Sequence, residues 1–244
     1  MSFLLVSDLD DTLKISETSD YFKTVVRGLF RKDAYAGMNI LYQELIGPKG
    51  MFVLISSSPR SIHGKVHRFL EKHKFPEHQI WLRDWVKQPK IKEYKRSNFQ
   101  RLKETFPGPF IILGDDQEYD PEVFTEFKEA NPDLVLKIYI RRIRGRKLPK
   151  GCFGFLTAFD IALEEYREKR LKIPQVSRIG KAVLEELDDD LIIPRFSLIK
   201  EFEDLEDCPP TLMALKTKLE QRLMDILQRG PTGKKTALKR LKDH

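Results

Sequence analysis

The sequence predicts a doubly wound α/β fold built on a parallel sheet, with a small cap or none and a helical C-terminal extension. Three observations carry this expectation. Short apolar runs recur with amphipathic stretches between them. Several of these runs are continuous rather than alternating, which suits strands covered on both faces. Carboxylates and hydroxyls gather where the runs end, as they do in open α/β sheets that bind ligands at the carboxyl ends of their strands.

Residues 3–6 (FLLV), 51–55 (MFVLI), 80–82 (IWL), 110–113 (FIIL) and 134–140 (LVLKIYI) read as strands. Between them, residues 61–72 place Ile62, Val66, Phe69 and Leu70 on one helical face. Residues 94–106 do the same with Phe99, Leu102 and Phe106. Asp120-Pro121-Glu122 reads as a helix start with Asp as N-cap and Pro at the first helical position. This alternation implies right-handed βαβ units. After Pro149 the pattern turns helical, over 157–170 and 176–187. Residues 191–194 (LIIP) read as a short edge strand, and 212–228 as a last helix after the break at Cys208-Pro209-Pro210. The expected organisation is a catalytic domain over 1–170, a helical extension packed on the core over 171–229, and a basic tail over 230–244.

Composition narrows the classes. The 244 residues are 41% hydrophobic and 33% charged, as in an ordinary soluble protein. No apolar run reaches membrane-spanning length, and the N-terminal MSFLLVSDLD meets two carboxylates before a signal-peptide core could form. A cytoplasmic protein is expected, with peripheral attachment to membranes. Cys152 and Cys208 are the only cysteines, too far apart in sequence for a CxxC motif, so neither a disulfide framework nor a thiolate zinc site is suggested. From Met213 onward nine Lys or Arg face three Asp or Glu, an excess of +6 out of the net +7. Such a tail suits an anionic partner or, equally, a solvated helix end.

The sharpest motif is the first strand running into Asp8-Leu9-Asp10-Asp11-Thr12. A nucleophilic carboxylate needs a partner that protonates the leaving oxygen and later deprotonates water, and Asp8 and Asp10 supply the two groups. The second strand empties into Ser56-Ser57-Ser58-Pro59 just ahead of a helix, where hydroxyls and free N–H groups hold phosphate oxygens or simply cap the helix. The fourth strand delivers Gly114-Asp115-Asp116 and then Asp120. Magnesium takes hard oxygen ligands, which makes Asp115 the metal ligand and Asp120 either its support or the helix cap.

Together these elements resemble the haloacid dehalogenase superfamily. In order, SDLDDTLK, the SSSP loop, Trp81-Leu82-Arg83-Asp84, Lys95, Phe106-Pro107, ILGDDQEYDPEVF and IYIRRI resemble the catalytic domain of the actin-patch phosphatidate phosphatase family, over roughly residues 1–170. The resemblance implies a magnesium-dependent phosphatase in which Asp8 forms an aspartyl phosphate and Asp10 is general acid and then base. It implies that Ser56 holds the transferring phosphoryl group, that Lys95 neutralises charge and orients Asp8, and that Thr12 supports the loop. Magnesium would be held by Asp8, the Asp10 backbone carbonyl and Asp115, with Asp120 the further acidic candidate. Ser57 and Arg60 are the candidate substrate-binding residues.

Two departures bear on substrate. Asp115-Asp116-Gln117-Glu118 stands where the family reads GDSGQ, adding negative charge that could assist the metal through Asp116. Arg60 stands where an aromatic residue usually follows SSSP. The stretches between the motifs are too short for an independent cap domain, so a bulky substrate is expected: a lipid phosphomonoester at a membrane surface first, a nucleic-acid end or phosphoprotein second. A non-catalytic lipid or RNA binder is the reading from another class. Arg141, Arg142, Arg144, Arg146 and Lys147 read as a recruiting cluster near the site. His63, His67 and His73 lack the HExxH glutamate and read as a surface helix, and the glycine- and lysine-rich stretch 230–236 reads as tail.

Overall fold

A computed structural model describes residues 3–10, 12–13, 33–47, 50–88, 90–106, 108–194, 196–199 and 208–229. Asp11, Pro107 and the basic tail lie outside the described residues.

Among the described residues, six parallel strands form one sheet in the order β3-β2-β1-β4-β5-β6. They are β1 (Leu4–Ser7), β2 (Met51–Pro59), β3 (Glu77–Arg83), β4 (Phe110–Asp115), β5 (Val135–Arg141) and β6 (Cys152–Phe155). The chain winds outward from β1 through β2 to β3, then returns to the centre and winds the other way from β4 to β6. This places the switch of direction between β1 and β4, where a crevice opens at the carboxyl edge.

The continuous apolar runs are explained by two layers. Leu5, Phe52, Leu54, Ile111 and Leu113 face one apolar cluster. Their neighbours Val6, Val53, Ile55, Phe110 and Ile112 face the other. On the first face lie α1 (Met38–Ile46), α2 (His63–Lys72), α5 (Ala158–Arg167), α6 (Ile173–Glu185) and α7 (Pro210–Arg229). The second face is covered by α3 (Ile91–Thr105) and α4 (Asp120–Ala130), through Tyr94, Phe99, Leu102, Val123, Phe124 and Phe127. The faces expected for α2 and α3 are the buried ones, except that Phe106 is only partly buried. In α7, Leu212, Lys216, Leu219 and Leu223 form a stripe at helical spacing, and its leucines join Val176, Ile179 and Val183 of α6 in the first cluster.

Three readings change. Residues 191–194 form no strand, because the Asp188 side chain accepts from Asp190 N at 3.0 Å and starts a 3₁₀ turn over Asp189–Leu191; Ile192 and Ile193 reach the core from there. Cys152–Phe155, which the sequence reading passes over, pairs in parallel with β5 as the edge strand. Asp120 is not the cap of α4. The cap position is Tyr119, and Asp120 is the first helical residue, with no side-chain capping bond.

Candidate active site

Asp8 leaves β1 with its backbone still in register, its N–H donating to the Leu113 carbonyl at 2.9 Å. The loop beyond is pinned on both sides. Tyr42 donates its hydroxyl to Ser7 Oγ at 2.7 Å, and Ser7 donates in turn to the Asp8 carbonyl at 2.6 Å. At the far end the Thr12 carbonyl accepts from the Arg141 guanidinium at 3.1 Å. Arg141 is 1% exposed and lies over the rings of Tyr35 and Phe155. Asp10 Oδ2 accepts from the Ser58 hydroxyl at 2.9 Å, so the two carboxylates of the motif meet different partners.

Among the described residues Asp8 Oδ1 is buried without a hydrogen-bond partner, and Lys95 Nζ lies 3.5 Å from it. Lys95 comes from α3, is 2% exposed, and also pairs with Asp120 Oδ1. The other Asp120 oxygen faces the Asp115 N–H at 3.4 Å. A helix cap contributes about 1 kcal/mol, whereas a buried ammonium left without its partner costs several. The ion pair therefore decides where the Asp120 carboxylate goes. Gly114 makes room for it: a Cβ there would lie 2.4 Å from Asp120 Oδ2 and 2.6 Å from the Phe124 ring.

Oxygens of Asp8, Asp115 and Asp120 lie within 4.8 Å of one another. Burial raises the Asp8 pKa most; Lys95 opposes this, and Asp120, Asp10 and Glu118 push it up again, leaving it well above the usual carboxylate range. Burial alone would lower the Lys95 pKa, but Asp120, Asp8, Glu118 and Asp115 outweigh it and keep the ammonium charged. One ammonium against this many carboxylates leaves a surplus of negative charge in a dry site. An unpartnered buried oxygen and a hard-oxygen donor set fit a divalent cation. The Asp10 carboxylate is not in this cluster and bonds the Ser58 hydroxyl, while still acting electrostatically on Asp8.

The serine loop is held by one internal bond and by groups around it. Ser56 Oγ accepts from Ser58 N at 3.1 Å, and Ser57 Oγ donates to Glu118 Oε2 at 3.3 Å. The Ser57 carbonyl accepts from Arg83 Nε at 3.2 Å and from the Trp85 indole at 3.0 Å. Arg60 is exposed, with Nε donating to the Leu82 carbonyl at 3.3 Å. The sequence reading missed Ser58, the partner of Asp10, although it lies inside the quoted SSSP motif.

The Asp116 carboxylate is engaged by backbone of the loop after β5 and is outside the cluster of Asp8, Asp115 and Asp120. It is fully buried and accepts from four consecutive backbone N–H groups: Ile143 and Arg144 at 2.7 Å, Gly145 at 2.9 Å and Arg146 at 3.3 Å. The expected recruiting cluster is also largely committed to the fold. Arg141 is buried under Thr12, Arg146 pairs with Glu122 and bonds the Glu118 carbonyl, and Arg142 Nε lies 3.9 Å from Asp116. Arg144 and Lys147 remain exposed. His67 meets His78 at 3.1 Å and Glu71 at 3.3 Å on the surface of α2, in keeping with the surface reading of that helix.

No curated protein matches the chain. Residues 3–142, more than half of it, match the family model described as phosphatidate phosphatase APP1, catalytic domain, a stretch that runs from the first residue before β1 to the first after β5 and contains Asp8, Asp10, the serine loop, Lys95, Asp115 and Asp120. The chain thus belongs to the phosphatidate phosphatase APP1 catalytic-domain family and is a phosphatase, a phosphoric monoester hydrolase.

Proposed function

We propose that the chain hydrolyses phosphatidic acid to diacylglycerol and phosphate, depends on magnesium, and uses Asp8 as the nucleophile. The observation that carries this reading is the Asp8 carboxylate, buried beside Lys95 with one oxygen free of hydrogen bonds, among the acids clustered at the centre of the carboxyl edge. Asp8 attacks phosphorus as the ester P–O bond breaks, and Asp10, held by the Ser58 hydroxyl, gives its proton to the departing alkoxide. Asp10 then takes a proton from the water that attacks the aspartyl phosphate, and Asp8 is regenerated as phosphate leaves. Ser56 donates to the phosphoryl oxygens, and Lys95 keeps Asp8 oriented and offsets phosphate charge. Asp8, the Asp10 carbonyl and Asp115 would hold the magnesium ion, which supplies charge neutralisation for the dianion. Asp120 acts on this set through Lys95.

Access from a bilayer surface has its own support. Val86, Tyr119 and Leu198 are 91%, 47% and 60% exposed. Val86 and Tyr119 follow β3 and β4, while Leu198 donates its N–H to the Ile143 carbonyl beyond β5, so all three stand at the active-site edge. Lys87, Lys90 and Arg144 are exposed on the same edge. Apolar tips among basic side chains suit a surface of anionic lipid. Among the described residues, no helix is long and apolar enough to cross a membrane. Residues 1–170 form the catalytic unit and 171–229 its packed extension, a division supported by the apolar cluster that α6 and α7 share with β1 and β2.

The test is phosphate release from phosphatidic acid in mixed vesicles, with and without magnesium, beside an aryl phosphate and a 5′-phosphorylated oligonucleotide. Magnesium-dependent turnover of the lipid, falling about 10⁴-fold or more in Asp8→Asn, is the expected result. Turnover of the oligonucleotide alone would discard the lipid and keep the chemistry.

A further inference from the structure

Next to the site just described, a pocket of about 640 Å³ opens between the end of β3 and α3. Its walls include Arg60, His63, Trp81, Tyr94, Asn98 and Arg101, and among the described residues no Asp or Glu lines it. Several other arginines of the described surface are neutralised, Arg96 by Glu126, Arg146 by Glu122 and Arg178 by Glu44, whereas the exposed Arg68 and Arg144 show no carboxylate partner among the described residues but do not line this pocket. Among the described residues Arg60 and Arg101 have no carboxylate partner.

Both guanidinium groups are nevertheless held in place. Arg101 stacks over the Trp81 ring at 4.3 Å, which occupies the face of the guanidinium and leaves its in-plane N–H donors available. Arg60 spends Nε on the Leu82 carbonyl, leaving its two terminal nitrogens. The Tyr94 hydroxyl donates to the Trp81 carbonyl at 2.8 Å, tying the two walls together. Planar forks without acidic partners, fixed around an aromatic floor, suit a phosphate or carboxylate.

The placement relates this pocket to the reaction. Tyr94 precedes Lys95 on α3, and Arg60 follows the serine loop, so the pocket and the carboxylate cluster share two chain segments. β3 lies two strands from β1, so the two anion positions are offset across the sheet by roughly 10 Å at the usual strand spacing, with any offset along α3 adding to this.

We infer that this pocket is a second anion subsite, binding a phosphate-like group carried by the same substrate roughly 10 Å or more from the phosphoryl group that is removed. The inference rests on the phosphomonoesterase reading of the Asp8 site and goes beyond phosphatidic acid, which carries a single phosphate: a phosphomonoester with a second anion binds more tightly than one without.

Binding to Asp8→Asn protein in magnesium tests this without turnover. Isothermal titration compares hexyl phosphate, 1,6-hexanediol bisphosphate and inorganic phosphate. The bisphosphate binds about tenfold or more tighter than hexyl phosphate, the gain expected for charge-assisted hydrogen bonds. Adding Arg101→Gln removes the gain, and Arg101→Lys, which keeps the charge without the fork, restores part of it. Equal affinity of the two esters overturns the proposal, as does an advantage that survives Arg101→Gln combined with Arg60→Gln. It is also overturned if inorganic phosphate, added to protein saturated with hexyl phosphate, binds with the full strength of the bisphosphate's extra contact, since the pocket would then serve free anions. These outcomes leave the phosphatase reading untouched, because that reading is decided by phosphate release from the wild-type enzyme.

Discussion

Arg141 and Thr12, 129 positions apart in the chain, are joined inside the core: the Arg141 guanidinium donates through Nε at 3.3 Å and Nη2 at 3.1 Å to the Thr12 carbonyl. A third bond runs from Nη1 to the Leu156 carbonyl at 2.6 Å. The end of β5 thereby fixes the loop that carries Asp8 and Asp10. Arg141→Lys keeps a positive charge but cannot make the fork or stack on Tyr35. It should cost about 2 kcal/mol and lower kcat beyond what the stability loss explains. Thermal unfolding, with turnover measured well below the transition, separates the two effects.

Gly114 is set by crowding. Any side chain there meets Asp120 and Phe124. Gly114→Ala should displace the Asp120 carboxylate from Lys95, lower turnover on every phosphomonoester, and destabilise by about 1–3 kcal/mol from overpacking. Unchanged kcat in a stably folded variant would show that Asp120 does not need its present position.

Asp116 separates structure from metal binding. In Asp116→Ala the four N–H groups of residues 143–146 lose their acceptor. A loss of about 2–3 kcal/mol in urea unfolding is expected, together with a magnesium concentration dependence within twofold of wild type once the protein is folded. A large change in magnesium dependence at unchanged stability would return Asp116 to the metal site.

Glu44 on α1 accepts from Arg178 on α6 at 2.6 Å and from Gln175 at 3.0 Å. Its pKa is lowered, first by the Arg178 hydrogen bond, against an opposing effect of burial and with help from Gln175. A depressed carboxylate pKa contributes stability above its unfolded-state value and loses it as pH falls through the folded value. The stability difference between wild type and Glu44→Gln should therefore be present at pH 7, shrink toward zero in the acid range below pH 4, and be reduced by salt at neutral pH.

The central fold was legible because β1, β2 and β4 are buried on both faces, and burial on both faces writes a continuous apolar run into the sequence. The edge was less so. β6 is short and contains Gly154, whose missing side chain admits Arg142, so its pattern is interrupted. Residues 191–194 are as apolar as a strand, yet one preceding aspartate is enough to curl them. At the site, the residue types and spacings pointed to a carboxylate centre, and the acids were brought together with Lys95 among them. The partner of each acid was another matter: the N–H groups that occupy Asp116 lie 27–30 positions away on the loop after β5, and no local pattern announces them.

The pairing of β1 with β4, Leu4 beside Phe110 and Ser7 beside Leu113, has a bearing on when the chain becomes competent. Asp8 precedes by more than a hundred residues the strand that supplies Asp115. Joining them closes a long loop, a slow step in folding. During synthesis from the N-terminus Asp8 must wait for β4 to emerge before its acidic neighbours exist. Catalytic power therefore arrives late and abruptly, and recovery of turnover during refolding should report the closure of the sheet's centre rather than the formation of any single helix.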